Sequence, residues 1–105
     1  MSGKQPEASL AIQVLPKTGD EELLRIVDVV IAYIRSTGLT AFVGPFETTI
    51  EGSFEKLCEI AREAQLICIR EGAGSVSTYM KWVYAPGMGV WSIEEKTAKY
   101  QAGVS

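Results

Sequence analysis

The chain has 105 residues, of which 47% are hydrophobic and 22% are charged, and this composition is typical of one globular domain. The formal net charge of −3 and the absence of a lysine or arginine stripe argue against nucleic acid as a partner. Because the sequence contains no histidine, histidine-based metal sites, catalytic triads and the commonest general base are excluded.

The sequence shows no targeting or membrane signal. No apolar run approaches the roughly 18–20 residues of a membrane span, and residues 1–9 do not resemble a signal peptide. We therefore expect a cytoplasmic protein with no membrane partner. Cys58 and Cys68 are predicted to lie on one helix, about 15 Å apart along its axis, which is too far for a disulfide. Each is expected to be a small buried hydrophobic residue.

The first part of the chain predicts a strand followed by a helix. Apolar side chains alternate over residues 9–15, which predicts a strand that is ended by Pro16. Gln13 is the polar side chain inside this strand. Aliphatic residues then recur at helical spacing over residues 20–37, which predicts a helix whose apolar stripe covers a sheet.

The centre of the sequence predicts a hairpin with an unusually polar strand. Residues 40–43 form the second predicted strand, and Pro45, which cannot donate to a sheet ladder, marks the turn to a third strand at residues 47–51. Alternation along that strand places three polar side chains on one face: Glu47, Thr49 and Glu51. Two carboxylates beside a hydroxyl are unusual for a purely structural strand, so this face is the candidate binding surface.

The remaining chain predicts a second helix, a fourth strand and a short final helix. The second helix starts at Ser53, a good N-cap residue, and ends at Gly72 or Gly74. Alternation over residues 75–83 predicts the fourth strand. Residues 92–95 form a capping box, which predicts a short helix that extends to about residue 100.

The predicted order β-α-β-β-α-β indicates an α+β, ferredoxin-like sandwich with a four-stranded antiparallel sheet and an extra C-terminal helix. One such domain would span residues 1–105, with flexible ends at residues 1–8 and 101–105. The first and third strands are then central neighbours, both helices cover one sheet face, and the other face is open. The core-facing residues, on the side that the helices cover, are expected to be Leu10, Ile12, Val14, Thr48, Ile50, Val76 and Met80. The open face is expected to carry Gln13, Glu47, Thr49, Glu51, Tyr79 and Lys81.

The open face also predicts self-association. Leu15, Tyr79 and Val83 would all be exposed there, which is unusual for a monomer. A homodimer or homotetramer is therefore expected.

Two groups of side chains allow several interpretations. Glu47 and Glu51 would lie about 13 Å apart along a strand, too far to share a proton, so acid–base catalysis is a weak interpretation. Solvated or lysine-paired carboxylates are a stronger one, and acceptors for a cationic or amino-bearing ligand fit better, with Lys81 a candidate partner of one acid. Five aromatic residues are either core and interface residues or a stacking wall for a flat heterocycle: Phe46, Tyr79, Trp82, Tyr84 and Trp91.

The central hairpin carries a family resemblance. Residues 42–52, with the sequence Phe-Val-Gly-Pro-Phe-Glu-Thr-Thr-Ile-Glu-Gly, resemble the central hairpin signature of the small, YkoF-like thiamine-binding protein family. Residues 12–16, 79–81 and 92–96 are similar to other parts of its pattern, and the resemblance covers residues 9–100. It implies a ferredoxin-like fold, dimers that pair into tetramers, and binding of thiamine or its hydroxymethylpyrimidine precursor without catalysis.

With this resemblance, the polar and aromatic sheet face becomes a predicted thiamine site. An aminopyrimidine has polar edges and two flat faces, and the thiazolium of thiamine is a cation that suits an acidic protein. The predicted ligand-binding residues are Gln13, Phe46, Glu47, Thr48, Thr49, Glu51, Tyr79 and Lys81. No catalytic residue, metal or cofactor is predicted. Two alternatives stay open: an oligomeric interaction or regulatory module without a small ligand, and a small enzyme of the dimeric α+β barrel type, against which the lack of histidine counts.

Overall fold

The computed structural model describes residues 5–91 and 93–94. Six elements follow one another in the predicted order. They are β1 (Ala8–Pro16), α1 (Asp20–Ser36), β2 (Ala41–Val43), β3 (Thr48–Gly52), α2 (Phe54–Arg70) and β4 (Val76–Tyr84). Ile93 and Glu94 are helical, and the rest of the predicted final helix lies outside the described residues.

The four strands form one sheet in the order β2-β3-β1-β4, and all neighbouring pairs are antiparallel. The predicted α+β, ferredoxin-like architecture is therefore confirmed, with β1 and β3 as the central strands. Both helices pack on one face, and the core between the layers is aliphatic. Met80 was predicted to face this core but is 41% exposed, because it lies on the edge strand β4. The buried stripe of α2 consists of the predicted residues: Leu57, Ile60, Ala61, Ala64, Ile67 and Cys68.

Local sequence signals explain where the helices begin and end. The Ser53 side chain accepts a hydrogen bond from the Lys56 N–H, as expected of an N-cap. Gly38 and Gly72 follow the last turns of α1 and α2 with φ of 78° and 114°, a region in which residues with a Cβ are strained. The helix predictions are therefore correct to within a residue or two.

Pro16 is the last residue of β1, as expected of the residue predicted to end the strand, and it pairs with Val76 of β4. The Lys17 N–H donates to the Ser75 carbonyl at 2.8 Å, so the main-chain N–H and C=O groups of Lys17 point toward β4. Successive residues of a strand direct these groups to opposite sides. The nitrogen of Pro16 therefore points away from β4, where its missing N–H costs no ladder hydrogen bond.

The two cysteines differ from each other, so one of the two burial predictions is wrong. Cys68 is buried, and burial raises the pKa of its thiol. Cys58 is exposed because it follows the fully buried Leu57 by one residue, which turns its side chain about 100° around the helix and out of the buried stripe.

Thr78 introduces a polar group into the helix-facing side of the sheet. It pairs with the buried Val14, and its hydroxyl oxygen is buried without a hydrogen-bond partner in the described part of the chain. An unsatisfied hydroxyl of this kind costs about 1–3 kcal/mol of desolvation free energy.

We expect Thr78→Val to raise the free energy of unfolding by about 1 kcal/mol, because it replaces the hydroxyl by a methyl group of similar size. Urea denaturation measures this difference. Thr78→Ser is the matched control, since it keeps the hydroxyl, removes the methyl group and should lower stability by about 1 kcal/mol. A valine variant no more stable than the wild type would show that the hydroxyl has a partner.

Candidate functional site

A cavity of about 200 Å³ lies at the hairpin end of the sheet, between α1 and the strands. Residues 12–15 of β1 form its floor, and the β2–β3 hairpin, residues 43–48, forms one wall. The opposite wall consists of the aliphatic stripe of α1: Leu23, Leu24, Val27, Val30, Ile31 and Ile34. The lining is thus mostly apolar, with a few polar groups, as in most small-molecule sites.

The cavity exists because neighbouring strands end at different levels. The pairing of β1 with β3 stops at Ile12 and Thr48, whereas β1 continues to pair with β4 as far as Pro16. The Gly44 N–H donates to the Glu47 carbonyl at 2.9 Å, which closes a tight turn with Pro45 and Phe46 at its tip. The last residues of β1 therefore extend past the end of β3, and α1 covers the gap.

Three polar residues line the cavity: Gln13, Glu47 and Thr48. Thr48 is buried, and its hydroxyl makes no hydrogen bond to any described residue. One Glu47 carboxylate oxygen lies 3.4 Å from the Lys81 Nζ, which confirms that Lys81 pairs with one of the two acids. Both partners are substantially exposed, so this ion pair contributes little stability.

The eight predicted ligand-binding residues divide into two groups. Four line the cavity: Gln13, Phe46, Glu47 and Thr48. The other four lie on the open sheet face and do not line it: Thr49, Glu51, Tyr79 and Lys81. Glu47 belongs to both surfaces through its bridge to Lys81. Ligand contact by the second group stays a prediction.

Glu51 has a partner within the chain. Its carboxylate accepts the Ile93 N–H at 2.8 Å, so it caps the helical turn that follows β4. The Val90 N–H donates to the Pro6 carbonyl at 2.8 Å, and Val90 and Ile93 are both buried. Ser9, which pairs with Glu51 on the face that no helix covers, is only 5% exposed. The segment after β4 therefore covers this end of the open face.

The aromatic residues do not form one stacking wall. Phe54 packs against Trp82 and Tyr84, with ring centroids 5.2 Å and 4.6 Å apart. Trp82 and Tyr84 pair with the buried Leu10 and Ala8, so they lie on the helix side of the sheet. Tyr79 is on the opposite face, and only Phe46, which is 77% exposed, lies at the cavity.

The α1 wall of the cavity was not predicted as part of a site. Its residues were interpreted only as the stripe that covers the sheet, and two of the six, Val30 and Ile34, do belong to the buried core. Leu24 is 68% exposed, however, which shows that the apolar stripe is wider than the sheet requires. The width of the apolar stripe on α1 is the sequence feature from which this wall of the cavity could have been predicted.

The charged groups outside the cavity do not point to a second site in the described part of the chain. Arg25 donates to the Glu22 and Glu71 carboxylates and to the Glu71 carbonyl, which links α1 to the end of α2. The hydrogen bond to Glu71 is the main reason that the pKa of Arg25 is raised. No group of three or more potential metal ligands occurs in the described ranges. None of the helices described is long and apolar enough to cross a membrane.

The fold and the cavity define a ferredoxin-like α+β domain with one small, mostly apolar concave site among the described residues. The particular family follows from the sequence. The model of the thiamine-binding protein family matches residues 10–101, and the chain belongs to that family.

Relatives and solved structures agree with this assignment. A UPF0045 protein of Clostridium perfringens is 46% identical over 93 residues, which cover 89% of this chain and 96% of the relative. A domain of unknown function, DUF77, from Bacillus cereus superimposes with a TM-score of 0.82 at 32% identity, covering 93% of both chains. A Thermotoga maritima protein, provisionally assigned to thiamine biosynthesis or salvage, has a TM-score of 0.79 at 33% identity and covers 90% of this chain and 99% of its own.

Proposed function

We propose that the chain binds thiamine or its hydroxymethylpyrimidine moiety, without catalysis, in the cavity between α1 and the hairpin. The observation that carries the proposal is the convergence of Gln13, Glu47 and Thr48 on an apolar cavity in a member of the thiamine-binding family. The provisional assignment of the Thermotoga maritima relative to thiamine biosynthesis or salvage supports the same ligand.

The size of the cavity favours one ring of the ligand. Sites for drug-sized ligands typically have volumes of about 300–1,000 Å³, whereas this cavity has about 200 Å³. The pyrimidine ring would occupy it among the aliphatic side chains. The thiazolium would then remain at the mouth, where the Glu47 carboxylate and the exposed Phe46 ring can attract a cation.

The chemistry of the lining supports binding rather than turnover. The three polar lining residues carry an amide, a carboxylate and a hydroxyl, which suit hydrogen bonds to a heterocycle. Glu47 is the one acidic residue among the lining residues, so the cavity does not contain a pair of carboxylates for acid–base catalysis.

Filling the cavity should abolish binding. We expect thiamine or hydroxymethylpyrimidine at 100 times its dissociation constant to stabilise the wild-type chain by about 2.7 kcal/mol. Such a gain raises the melting temperature by roughly 10 °C or more in a domain of this size. Ile31→Trp places a large ring in the cavity and should remove the shift.

Ile69→Trp is the matched control, because Ile69 is an exposed isoleucine of α2 that does not line the cavity. That variant should keep the full thermal shift. If neither compound stabilises the wild-type chain, the proposed ligand is wrong. Loss of the shift in Ile69→Trp alone would show that the ligand binds elsewhere.

Glu47→Gln should weaken thiamine binding by about 0.5–1 kcal/mol at low ionic strength, because it removes a partly exposed charge that attracts the thiazolium. Binding of the uncharged hydroxymethylpyrimidine should change little. Titration calorimetry measures both affinities. Glu51→Gln makes the same chemical change at the carboxylate that caps Ile93. A ligand in the cavity leaves thiamine affinity unaffected by this change, whereas the predicted contact of Glu51 with the ligand would lower it. The reverse pattern would move the ligand to the open sheet face.

The open sheet face supports a second role, self-association as a homodimer or homotetramer. Leu15, Tyr79 and Val83 are 41%, 62% and 54% exposed on this face. Apolar groups at this density are more typical of an interface than of a free surface. An oligomeric interaction or regulatory module without a small ligand would use the same face.

We expect sedimentation velocity at two concentrations to give a mass above the 11.4 kDa of one chain. Val83→Lys should shift the distribution toward the monomer, because it brings a charge into the interface. Leu66→Lys, at an exposed position of α2, is the control and should leave the mass unchanged. A monomeric wild-type chain at both concentrations would rule out this interface.

A further inference from the structure

We propose that the main chain of Val14 is a specificity-determining partner of the ligand, with its N–H as donor and its C=O as acceptor. The ligand class it selects is a heteroaromatic ring that carries a ring nitrogen acceptor next to an amino donor. This proposal rests on the proposed function, and it names the two main-chain groups that recognise the polar edge of the ligand.

The orientation of the Val14 main chain follows from hydrogen bonds on either side of it. The Lys17 N–H donates to the Ser75 carbonyl and the Ala85 N–H donates to the Glu7 carbonyl, each at 2.8 Å. Both bonds join the ends of β1 to the ends of β4. Because main-chain groups alternate along a strand, Val14, three residues from Lys17, directs its N–H and C=O toward the β3 side.

No strand of the described chain meets Val14 on that side. The last pair of β1 and β3 joins Ile12 and Thr48. Continuing this register would bring Phe46 opposite Val14, but Phe46 lies in the hairpin tip, where the chain turns away. Among the described residues, no hydrogen bond to the Val14 N–H or C=O occurs on this side.

Pro16 supports the same conclusion independently. It is the next residue of β1 with this orientation, and it has no N–H to offer. Proline is tolerated in a sheet where its nitrogen faces no partner strand. The proline therefore indicates that this part of β1, although β1 is a central strand, has no partner strand on the β3 side.

Val14 lines the cavity, and its residue surface is only 9% exposed. A buried N–H and a buried C=O each require a hydrogen-bond partner. For Val14, that partner can be water or a ligand in the cavity. The N–H and C=O of one extended residue point the same way, so they present a donor beside an acceptor. The complementary ligand edge is a ring nitrogen beside an amino group, as in an aminopyrimidine, and the Thr48 hydroxyl can bind a further ring position.

The first test compares hydroxymethylpyrimidine with its analogue that lacks the ring amino group, both titrated into the wild-type chain by calorimetry. We expect the amino compound to bind at least about tenfold more tightly, since the analogue leaves the Val14 carbonyl unpaired. In ¹⁵N–¹H spectra, the Val14 amide proton should move downfield on addition of the amino compound, and its exchange with solvent should slow.

The second test removes the donor itself. Val14→Pro deletes an N–H that no strand uses, and it should lower the affinity for the amino compound at least about tenfold. Val76→Pro is the matched control, because it also deletes an N–H that no described strand uses, at the start of edge strand β4 and outside the cavity lining; its affinity should stay within about threefold of the wild type. The wild-type comparison and the amide signal decide the question if the Val14→Pro variant does not fold.

The outcomes separate this inference from the proposed function. Equal affinity for the two pyrimidines, together with an unmoved Val14 amide, would overturn the role of Val14 and leave thiamine binding in place. Failure of the wild-type chain to bind either thiamine or hydroxymethylpyrimidine would overturn both.

Discussion

The unequal pairing of β1 with its two neighbours is the constraint on which the site depends. β1 pairs with β4 along its whole length, but with β3 only as far as Ile12. The missing pairs leave a gap in an otherwise continuous sheet, and the aliphatic stripe of α1 covers this gap instead of a complete strand surface. A longer β3 would fill the gap with backbone and hydrogen bonds, so the tight turn at Pro45 and Phe46 determines both where β3 begins and where the cavity lies.

The open sheet face is divided in a related way. At the end opposite the hairpin, the segment after β4 buries Val90 and Ile93, and Glu51 fixes it by accepting the Ile93 N–H. Toward the hairpin, Leu15 and Tyr79 remain exposed. A carboxylate in the middle of a strand thus serves to cap the next element, and the apolar surface left uncovered is the part available to another chain.

Much of this architecture could be predicted because hydrophobic periodicity encodes it directly. The alternation in β1 and β4 and the helical spacing in α1 and α2 give the fold and the division between helix-facing and open sides. The cavity could not be predicted from the same pattern, since it arises from the relative ends of strands that meet only in the folded chain. Gln13 and Thr48 were selected for their polarity, whereas the aliphatic wall at Val27 and Ile31 looks like any other core stripe in the sequence.

Two threonine hydroxyls on the helix-facing side illustrate what distinguishes a site from a defect. The Thr78 hydroxyl is enclosed by protein atoms and has no partner in the described chain, so it carries its desolvation cost in the folded chain whether or not a ligand is bound. The Thr48 hydroxyl also makes no hydrogen bond to a described residue, but Thr48 lines a cavity that a ligand or water can enter. The same chemical group therefore weakens the fold at one position and is available for recognition at the other. What separates the two is the level at which β3 ends beside β1.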